Sequence, residues 1–198
     1  MTRTKVNLYE RDVLTTGEVA KICNVASRTV SKWFDSGQLR GYRIPGSKDR
    51  RIPVSSLVRF MKSHNIPLDG LMTGNTRVLI ADSDVDVRNS LVEILGEQTK
   101  YEVKAAVNGF AAGIECERFR PHVLVLDIHL VENARDVIDV LRESDELQVT
   151  RVIATSGKLT DGQVAQLTQQ GFSAAIRKPF TVRQVIEAIE KAHTSVIA

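Results

Sequence analysis

The stretch Val123-Leu124-Val125-Leu126-Asp127 determines how the rest of the chain is interpreted. Four consecutive apolar residues without polar alternation predict a strand that is buried on both faces, as strands of parallel sheets are. The carboxylate of Asp127 follows at once, and ligands of open α/β sheets bind beyond the carboxyl ends of the strands. The stretch therefore predicts a central strand that ends in a functional acid.

Three further apolar segments end in polar groups that can meet Asp127. The acidic run Asp82-Ser83-Asp84 follows residues 77–81, Ser156 follows residues 151–154, and Lys178 follows a short strand at residues 174–176. Carboxyl ends of parallel strands share one edge of a sheet, so these groups are predicted to lie together. A carboxylate, a second acidic cluster, a hydroxyl and an ammonium form a small phosphoryl-acceptor site.

The second half of the chain alternates between predicted strands and predicted helices. Five βα units without internal hairpins predict an α/β, flavodoxin-like fold with a parallel sheet in the order 2-1-3-4-5. Besides the strands above, a strand is predicted at residues 103–107, and helices are predicted from Val85, at 109–119, 135–142 and 161–170, and from Thr181.

These motifs resemble the receiver domain of two-component response regulators, over about residues 76–196. The resemblance implies that Asp127 accepts a phosphoryl group from a sensor histidine kinase or a phosphotransfer protein, and that Ser156 and Lys178 bind that group. It also implies a Mg²⁺ ion held by Asp82, Asp127 and the backbone carbonyl of His129. The Lys178-Pro179 bond is predicted to be cis, because an X–Pro bond adopts this form at little cost.

The sequence departs from the receiver pattern at three places. Ser83 replaces the second acid of the usual pair, so Mg²⁺ binding is predicted to be weak; Asp84, one residue further on, is predicted to be a helix cap or a solvated acid rather than a ligand. Ala175 replaces the switch aromatic three residues before Lys178. The loop at residues 130–134 lacks the usual Pro and Gly after the phosphoacceptor.

The first part of the chain has the pattern of a helix-turn-helix followed by a wing. Thr15 or Thr16 is predicted to cap a first helix, with Glu18 completing a capping box, and Ser27 is predicted to cap a second helix at residues 28–35. A strand at residues 39–44, a turn, a return strand at 50–52 and a further helix from Pro53 complete a small winged helix-turn-helix, mostly α with a β-hairpin wing.

This pattern resembles the excisionase-like, MerR-type DNA-binding domain, over about residues 12–68. The second helix is predicted to enter the major groove with its first residues. Arg28 suits a guanine because its guanidinium matches O6 and N7. In the wing, basic residues are opposed only by Asp49, which favours contacts to double-stranded DNA. The predicted DNA-binding residues are Ser27, Arg28, Thr29, Lys32, Arg40, Tyr42, Arg43, Lys48, Arg50 and Arg51.

Charge supports a division into a basic and an acidic part. Residues 1–70 hold 13 Lys and Arg against 6 Asp and Glu, a net charge of +7, whereas the rest of the chain carries −4. We predict a DNA-binding domain at 1–68, a linker at 69–75 and a receiver domain at 76–198. No apolar run approaches the ~20 residues of a membrane span, no signal peptide is evident, and the two cysteines are far apart. These features predict a cytoplasmic protein with reduced thiols.

The leading hypothesis is a DNA-binding response regulator that controls transcription, acts as a homo-oligomer and is not an enzyme on a separate substrate. A rival hypothesis is a pseudo-receiver that serves as a phosphorylation-independent interaction or dimerisation module. A third is a Mg²⁺-dependent phosphatase that uses Asp127, although no separate substrate pocket or second acid/base group is evident in the sequence.

Overall fold

The computed structural model describes residues 12–66 and 75–197. The chain forms two compact units, one up to Gly74 and one over Asn75–Val196, and each is described by itself. Within the described residues, no helix combines the length and the apolar character that crossing a bilayer requires.

The first unit is a helix-turn-helix with a three-stranded antiparallel sheet. Its elements are β1 (Val13–Thr15), α1 (Thr16–Ile22), α2 (Ser27–Asp35), β2 (Tyr42–Arg43), β3 (Arg50–Pro53) and α3 (Val54–Ser63). The sheet order is β1-β3-β2. The hairpin β2–β3 is the predicted wing, and β1 adds a strand that the sequence analysis did not predict.

The beginnings of the first two helices agree only partly with the predicted caps. Thr15 caps α1, and its backbone N–H donates a hydrogen bond to Oε2 of Glu18 at 2.7 Å, so the capping box is confirmed. The prediction that Ser27 caps α2 is wrong. Ala26 occupies the cap position in an extended conformation without a side-chain hydrogen bond, and Ser27 is already the first helical residue.

The first wing strand is shorter than the predicted segment 39–44. Leu39 is buried and its N–H donates to the carbonyl of Trp33, so this residue belongs to the end of the helix-turn-helix. Gly41 then passes so close to β3 that an added Cβ would lie 2.3 Å from the carbonyl oxygen of Arg51. Regular pairing starts only at Tyr42, opposite Arg51.

The small core of this unit draws on every helix and on two of the three strands. Trp33 of α2 packs against Phe60 of α3, with 4.8 Å between the ring centroids. The fully buried large residues are Leu14, Val19, Leu39, Ile52, Leu57 and Met61. Val30 is the buried residue of α2, whereas Ser27 and Arg28 at the start of this helix are exposed.

The second unit is a parallel sheet with helices on both faces. Its elements are β4 (Arg77–Ala81), α4 (Val85–Gln98), β5 (Glu102–Ala106), α5 (Gly109–Phe119), β6 (Val123–Asp127), a 3₁₀ turn (Ile128–Leu130), α6 (Ala134–Glu143), β7 (Arg151–Ser156), α7 (Asp161–Gln170), β8 (Ala174–Arg177) and α8 (Val182–Ile197). The order β5-β4-β6-β7-β8, parallel throughout, confirms the predicted order 2-1-3-4-5.

Alternate side chains of the central strands enter two separate apolar layers. Leu124 and Leu126 of β6 pack in the layer that contains residues of α5, α6 and α7. Val123 and Val125 point the other way, into the layer formed with α4 and α8. Because both faces of β6 are buried, its sequence is an unbroken apolar run. Asp127, at the end of the strand, is the first polar residue and can take part in a site.

Candidate phosphoacceptor site and DNA-binding surface

Three of the predicted site residues meet at the carboxyl edge of the parallel sheet. Asp82 follows β4, Asp127 ends β6, and Lys178 follows β8. The Nζ atom of Lys178 lies 2.6 Å from Oδ2 of Asp82 and 2.5 Å from Oδ2 of Asp127. One ammonium therefore bridges two carboxylates that are 45 residues apart in the sequence.

The two carboxylates are buried, and the ammonium compensates only part of their charge. Asp82 is 3% exposed and Asp127 is 5% exposed. Partial burial lowers the pKa of Lys178, but its hydrogen bonds to Asp127 and Asp82 outweigh this effect, so the pKa lies above its usual value. Lys178 therefore stays charged at neutral pH, and with both acids ionised the three groups carry one net negative charge.

Backbone donors orient the second oxygen of each carboxylate. Oδ1 of Asp127 accepts a hydrogen bond from the N–H of His129 at 2.9 Å, and Oδ1 of Asp82 accepts one from the N–H of Asp84 at 3.0 Å. Each acid thus presents Oδ2 to Lys178. The N–H of Lys178 donates to the carbonyl of Ser156, which ties the end of β7 to the segment after β8, and the Lys178-Pro179 bond is cis as predicted.

Ser156 has a partner that the sequence analysis missed. Its hydroxyl oxygen lies 3.1 Å from Nε2 of His129, and the N–H of Lys158 donates to the same oxygen at 3.2 Å. The sequence analysis assigned a role to the backbone carbonyl of His129 and none to its ring. Its imidazole and Ser156 are 27 residues apart, and only the pairing of β6 with β7 indicates that they can meet.

Asp84, Ser83 and Ala175 lie at or beside the positions where the sequence departs from the receiver pattern. Asp84 caps α4, accepting from the N–H groups of Asp86 and Val87, which confirms the predicted cap. Ser83 is exposed. Ala175 packs against the core layer on the α5–α7 side.

The oxygen atoms at this edge fit a small divalent cation. Carboxylates and backbone carbonyls are the ligands that such hard cations prefer, and Asp82 and Asp127 already converge on one positive group. Across residues 12–66 and 75–197, no three side chains of His, Cys, Asp or Glu come together in a metal-binding arrangement. Among the described residues, the acidic side chains that converge here are therefore Asp82 and Asp127, without a third acid.

In the first unit, most of the predicted DNA-binding residues are accessible. Ser27, Arg28 and Lys32 are exposed on α2, whereas Thr29 is half-buried. The exposed residues before and within the wing are Arg40, Tyr42, Arg43 and Lys48, and Arg50 and Arg51 are half-buried. The first turn of α2 and the wing hairpin thus form the candidate DNA-binding surface.

The expectation that only Asp49 opposes the wing cations is wrong. Asp35, the last residue of α2, pairs with Arg43 at 2.8 Å and with Arg50 at 2.7 Å. Both guanidinium groups also lie over the ring of Phe34, 5.9 and 5.7 Å from its centroid. Asp49 lies 3.8 Å from Arg51. The sequence analysis did not predict these ion pairs, because Asp35 lies in α2 and the two arginines lie in β2 and β3.

Comparison with known proteins agrees with both units. The family model described as "Response regulator receiver domain" matches residues 78–190, and the model described as "Helix-turn-helix domain" matches residues 13–65. The polar-differentiation response regulator DivK of Brucella anthropi is 30% identical over 114 residues, covering 57% of this chain and 91% of DivK. The transcriptional regulatory protein PdtaR of Mycobacterium tuberculosis is 28% identical over 116 residues, 59% of this chain and 56% of PdtaR.

Solved structures similar to this chain share the fold of the second unit. The signal receiver domain of a DNA binding response regulator protein (merR) from Colwellia psychrerythraea has a TM-score of 0.54 at 24% identity and covers 59% of this chain and 97% of its own. A response regulator receiver domain from Bermanella marisrubri has a TM-score of 0.52 at 25% identity, over 60% of this chain and 98% of its own.

Proposed function

Because the chain belongs to the response regulator receiver domain family and also carries a helix-turn-helix domain, we propose that it is a DNA-binding response regulator of a two-component phosphorelay, with Asp127 as its phosphoacceptor. The observation that carries this proposal is the position of Lys178, whose Nζ bridges Asp127 and Asp82 at the carboxyl edge of the sheet. A fixed ammonium is what an anionic phosphoryl group needs in order to approach a carboxylate.

The chemistry follows from these three residues and Ser156. An oxygen of Asp127 attacks the phosphorus atom of a phosphorylated histidine or a small phosphodonor, the new P–O bond forms, and the bond from phosphorus to the donor breaks. Lys178 then pairs with the phosphoryl oxygens, which are stronger acceptors than the carboxylate it leaves. The Ser156 hydroxyl donates a hydrogen bond to one of these oxygens.

Receiver domains generally bind Mg²⁺ at this site, and Asp82, Asp127 and the His129 carbonyl are the groups that would hold it here. When bound, the ion neutralises charge that builds up on the phosphoryl oxygens. Ser83 contributes no carboxylate. We therefore propose that Mg²⁺ binding is weaker than in receivers with two adjacent acids.

The first unit is proposed to direct the protein to double-stranded DNA and to make it a transcription regulator. Arg28 at the exposed start of α2 suits a guanine in the major groove, and the wing cations suit phosphates. The proposed partners are therefore DNA and a sensor histidine kinase or phosphotransfer protein, and the proposed active form is a homo-oligomer. The protein regulates, and it does not turn over a separate substrate.

The rival function is a pseudo-receiver, and Ser83 and Ala175 favour it. Both remove groups that support phosphorylation and signalling in receivers, while the sheet and its core remain intact. In this alternative, the second unit is a constitutive interaction module on a DNA-binding head.

The experiment that separates the two is intact-mass measurement after incubation with acetyl phosphate and Mg²⁺. The proposal expects the wild-type chain to gain the mass of one phosphoryl group and Asp127→Asn to gain none, because the amide is not a nucleophile for this reaction. Labelling of Asp127→Asn would reject Asp127 as the acceptor. A wild-type chain that stays unlabelled, even with a phosphorylated kinase domain, would favour the pseudo-receiver.

A second test addresses the metal site. Ser83→Asp is expected to tighten Mg²⁺ binding, because a third carboxylate adds charge where Asp82 and Asp127 converge. The matched control is Ser83→Asn, which is similar in size to Asp and uncharged. Isothermal titration calorimetry with MgCl₂ measures both variants against wild type. Equal affinity of the Asp and Asn variants would show that position 83 lies outside the metal site.

A further inference from the structure

We propose that the imidazole of His129 holds the hydroxyl proton of Ser156 in the resting protein and loses it when Asp127 is phosphorylated. His129 is thereby a positioning residue that reports the state of the site to the surface. This inference rests on the proposed phosphorylation of Asp127. It assigns to the His129 ring a change of position that the side chain of Ala175, which has no ring, cannot provide.

The hydrogen bonds around Ser156 determine where its proton goes. Ser156 is 1% exposed, so its hydroxyl has to find its partners within the protein. The N–H of Lys158 donates to the hydroxyl oxygen and can only donate. Among the described residues, Nε2 of His129, at 3.1 Å, is the side-chain atom within hydrogen-bond distance of this hydroxyl. The Ser156 hydroxyl therefore donates to Nε2, and His129 carries its own proton on Nδ1.

A phosphoryl group on Asp127 competes for that single proton. Its oxygens only accept hydrogen bonds, so Ser156 can bind them only by donating the proton that Nε2 now receives. A hydrogen bond to an anionic oxygen is roughly twice as strong as one between neutral groups. The phosphoryl group therefore takes the Ser156 proton, and the imidazole loses its partner.

The position of His129 allows the exchange of the Ser156 hydrogen bond to alter the protein surface. The ring is exposed, and it lies on the 3₁₀ turn directly after the phosphoacceptor, where the His129 N–H is bonded to Asp127. The next residues, Leu130 and Val131, pack against the core layer that also contains residues of α6. Release of the ring therefore changes the surface formed by this turn, and it does so without any movement at Ala175.

Nitrogen-15 NMR of the full chain tests the resting state and its change. The protein contains four histidines, so long-range ¹H–¹⁵N spectra are simple, and loss of one set of signals in His129→Ala assigns the ring. The expected result is the Nδ1–H tautomer with an accepting Nε2 at rest, and a shift of the Nε2 signal after acetyl phosphate and Mg²⁺. Intact mass is measured on the same samples.

The outcomes of this experiment are distinct. A fully phosphorylated sample with an unchanged His129 ring would overturn the inference and leave the proposed function standing, as would an Nε2–H tautomer at rest. A sample that never gains a phosphoryl group would reject the proposed function, and the inference with it, because nothing then competes for the proton.

A double-mutant cycle tests whether His129 acts through Ser156. Removing the competing acceptor with His129→Ala should raise the ratio of phosphorylated to unphosphorylated protein at limiting acetyl phosphate by about fivefold, the equivalent of one ordinary hydrogen bond. In a Ser156→Ala background, the same change should leave that ratio unaltered. An equal effect in both backgrounds would overturn the inference, because a general structural role of His129 does not depend on Ser156.

Discussion

The imidazole of His122, just before β6, is buried in a setting that keeps it neutral. It is 4% exposed, its Nδ1 accepts a hydrogen bond from the N–H of Arg77 at 3.0 Å, and the ring of His193 lies 5.6 Å away. Burial, with smaller contributions from Arg77 and His193, lowers the pKa of His122 to about 3.

This residue should make the stability of the second unit depend on pH. The unfolded chain binds the proton first, with a pKa of about 6.5, so the contribution of His122 is complete above that pH and is lost as the pH falls from 6.5 toward 3. At pH 5 the free energy of unfolding should be lower by about 2 kcal/mol from this group alone. Urea unfolding at pH 7.5 and pH 5 measures the difference.

The matched variant is His122→Asn, whose side-chain oxygen can accept from Arg77 and does not titrate. It should lose less stability than wild type between the two pH values. The same loss in both proteins would show that His122 is not the group responsible. His193, whose pKa burial also lowers, acts in the same direction and remains present in both.

Individual residues were predictable where the strand pattern alone placed them. Asp82, Asp127 and Lys178 were predicted together because each lies at or just after the carboxyl end of a parallel strand. The contact between His129 and Ser156 was not, since it depends on the direction of a side chain in a 3₁₀ turn. The wrong cap at Ser27 has a simpler cause: residue type favours Ser over Ala at this position, but the chain turns helical one residue earlier.

At the scale of elements, Asp35 connects α2 to the wing. It pairs with Arg43 in β2 and with Arg50 in β3, and hydrogen bonding to Arg50 is the main cause that lowers the pKa of Asp35. The carboxylate is thus ionised at neutral pH. Its single negative charge offsets part of the positive charge of these two arginines.

Removing this charge should increase non-specific DNA binding. In Asp35→Asn, two arginines lose their counter-ion, so we expect higher affinity for random duplex DNA and a steeper salt dependence, with a slope larger by about 1–2 units in log–log form. Fluorescence anisotropy at several salt concentrations measures both. The control is Asp49→Asn. It removes an acid that lies in the wing itself and pairs with one arginine, Arg51.

Two results would argue against this account. Weaker binding of Asp35→Asn would mean that the ion pairs position the wing for DNA, rather than withholding its charge. An equal gain in both variants would mean that only net charge matters, because each substitution removes one negative charge.

Element types and sheet order were predicted more reliably than the small sheet of the first unit. Unbroken apolar runs separated by helical patterns leave few topologies for the second unit. The strand β1 is only three residues long, and its pairing with β3 depends on contacts distant in the sequence. The predicted wing strand starts late, at Tyr42, after the close approach of Gly41 to Arg51, which residue preferences do not encode.

At the scale of the whole molecule, the proposed function makes a prediction about self-association, because the DNA-binding part is basic. Two weakly binding basic heads that are joined through their acidic units gain apparent affinity by effective concentration, without new DNA contacts. We therefore expect acetyl phosphate to increase self-association and DNA affinity together, as measured by sedimentation velocity and DNA titration.

The control for that experiment is Lys178→Ala, which removes the cation that binds the phosphoryl group and should therefore weaken the response. Complete phosphorylation that changes neither association nor DNA affinity would contradict the expectation and support the pseudo-receiver. The presence of a basic and an acidic part was evident from composition. The route between them was not, because it depends on surfaces that composition does not specify.

The apolar layers and the polar site groups occupy different parts of the second unit, which affects how this protein can evolve. The strand bodies hold the apolar layers, and the reactive groups stand on strand ends and in loops. Ser83, which is exposed at this edge, can therefore change without disturbing the apolar layers. Natural variation at such edge positions can therefore alter the chemistry of the site while the fold persists.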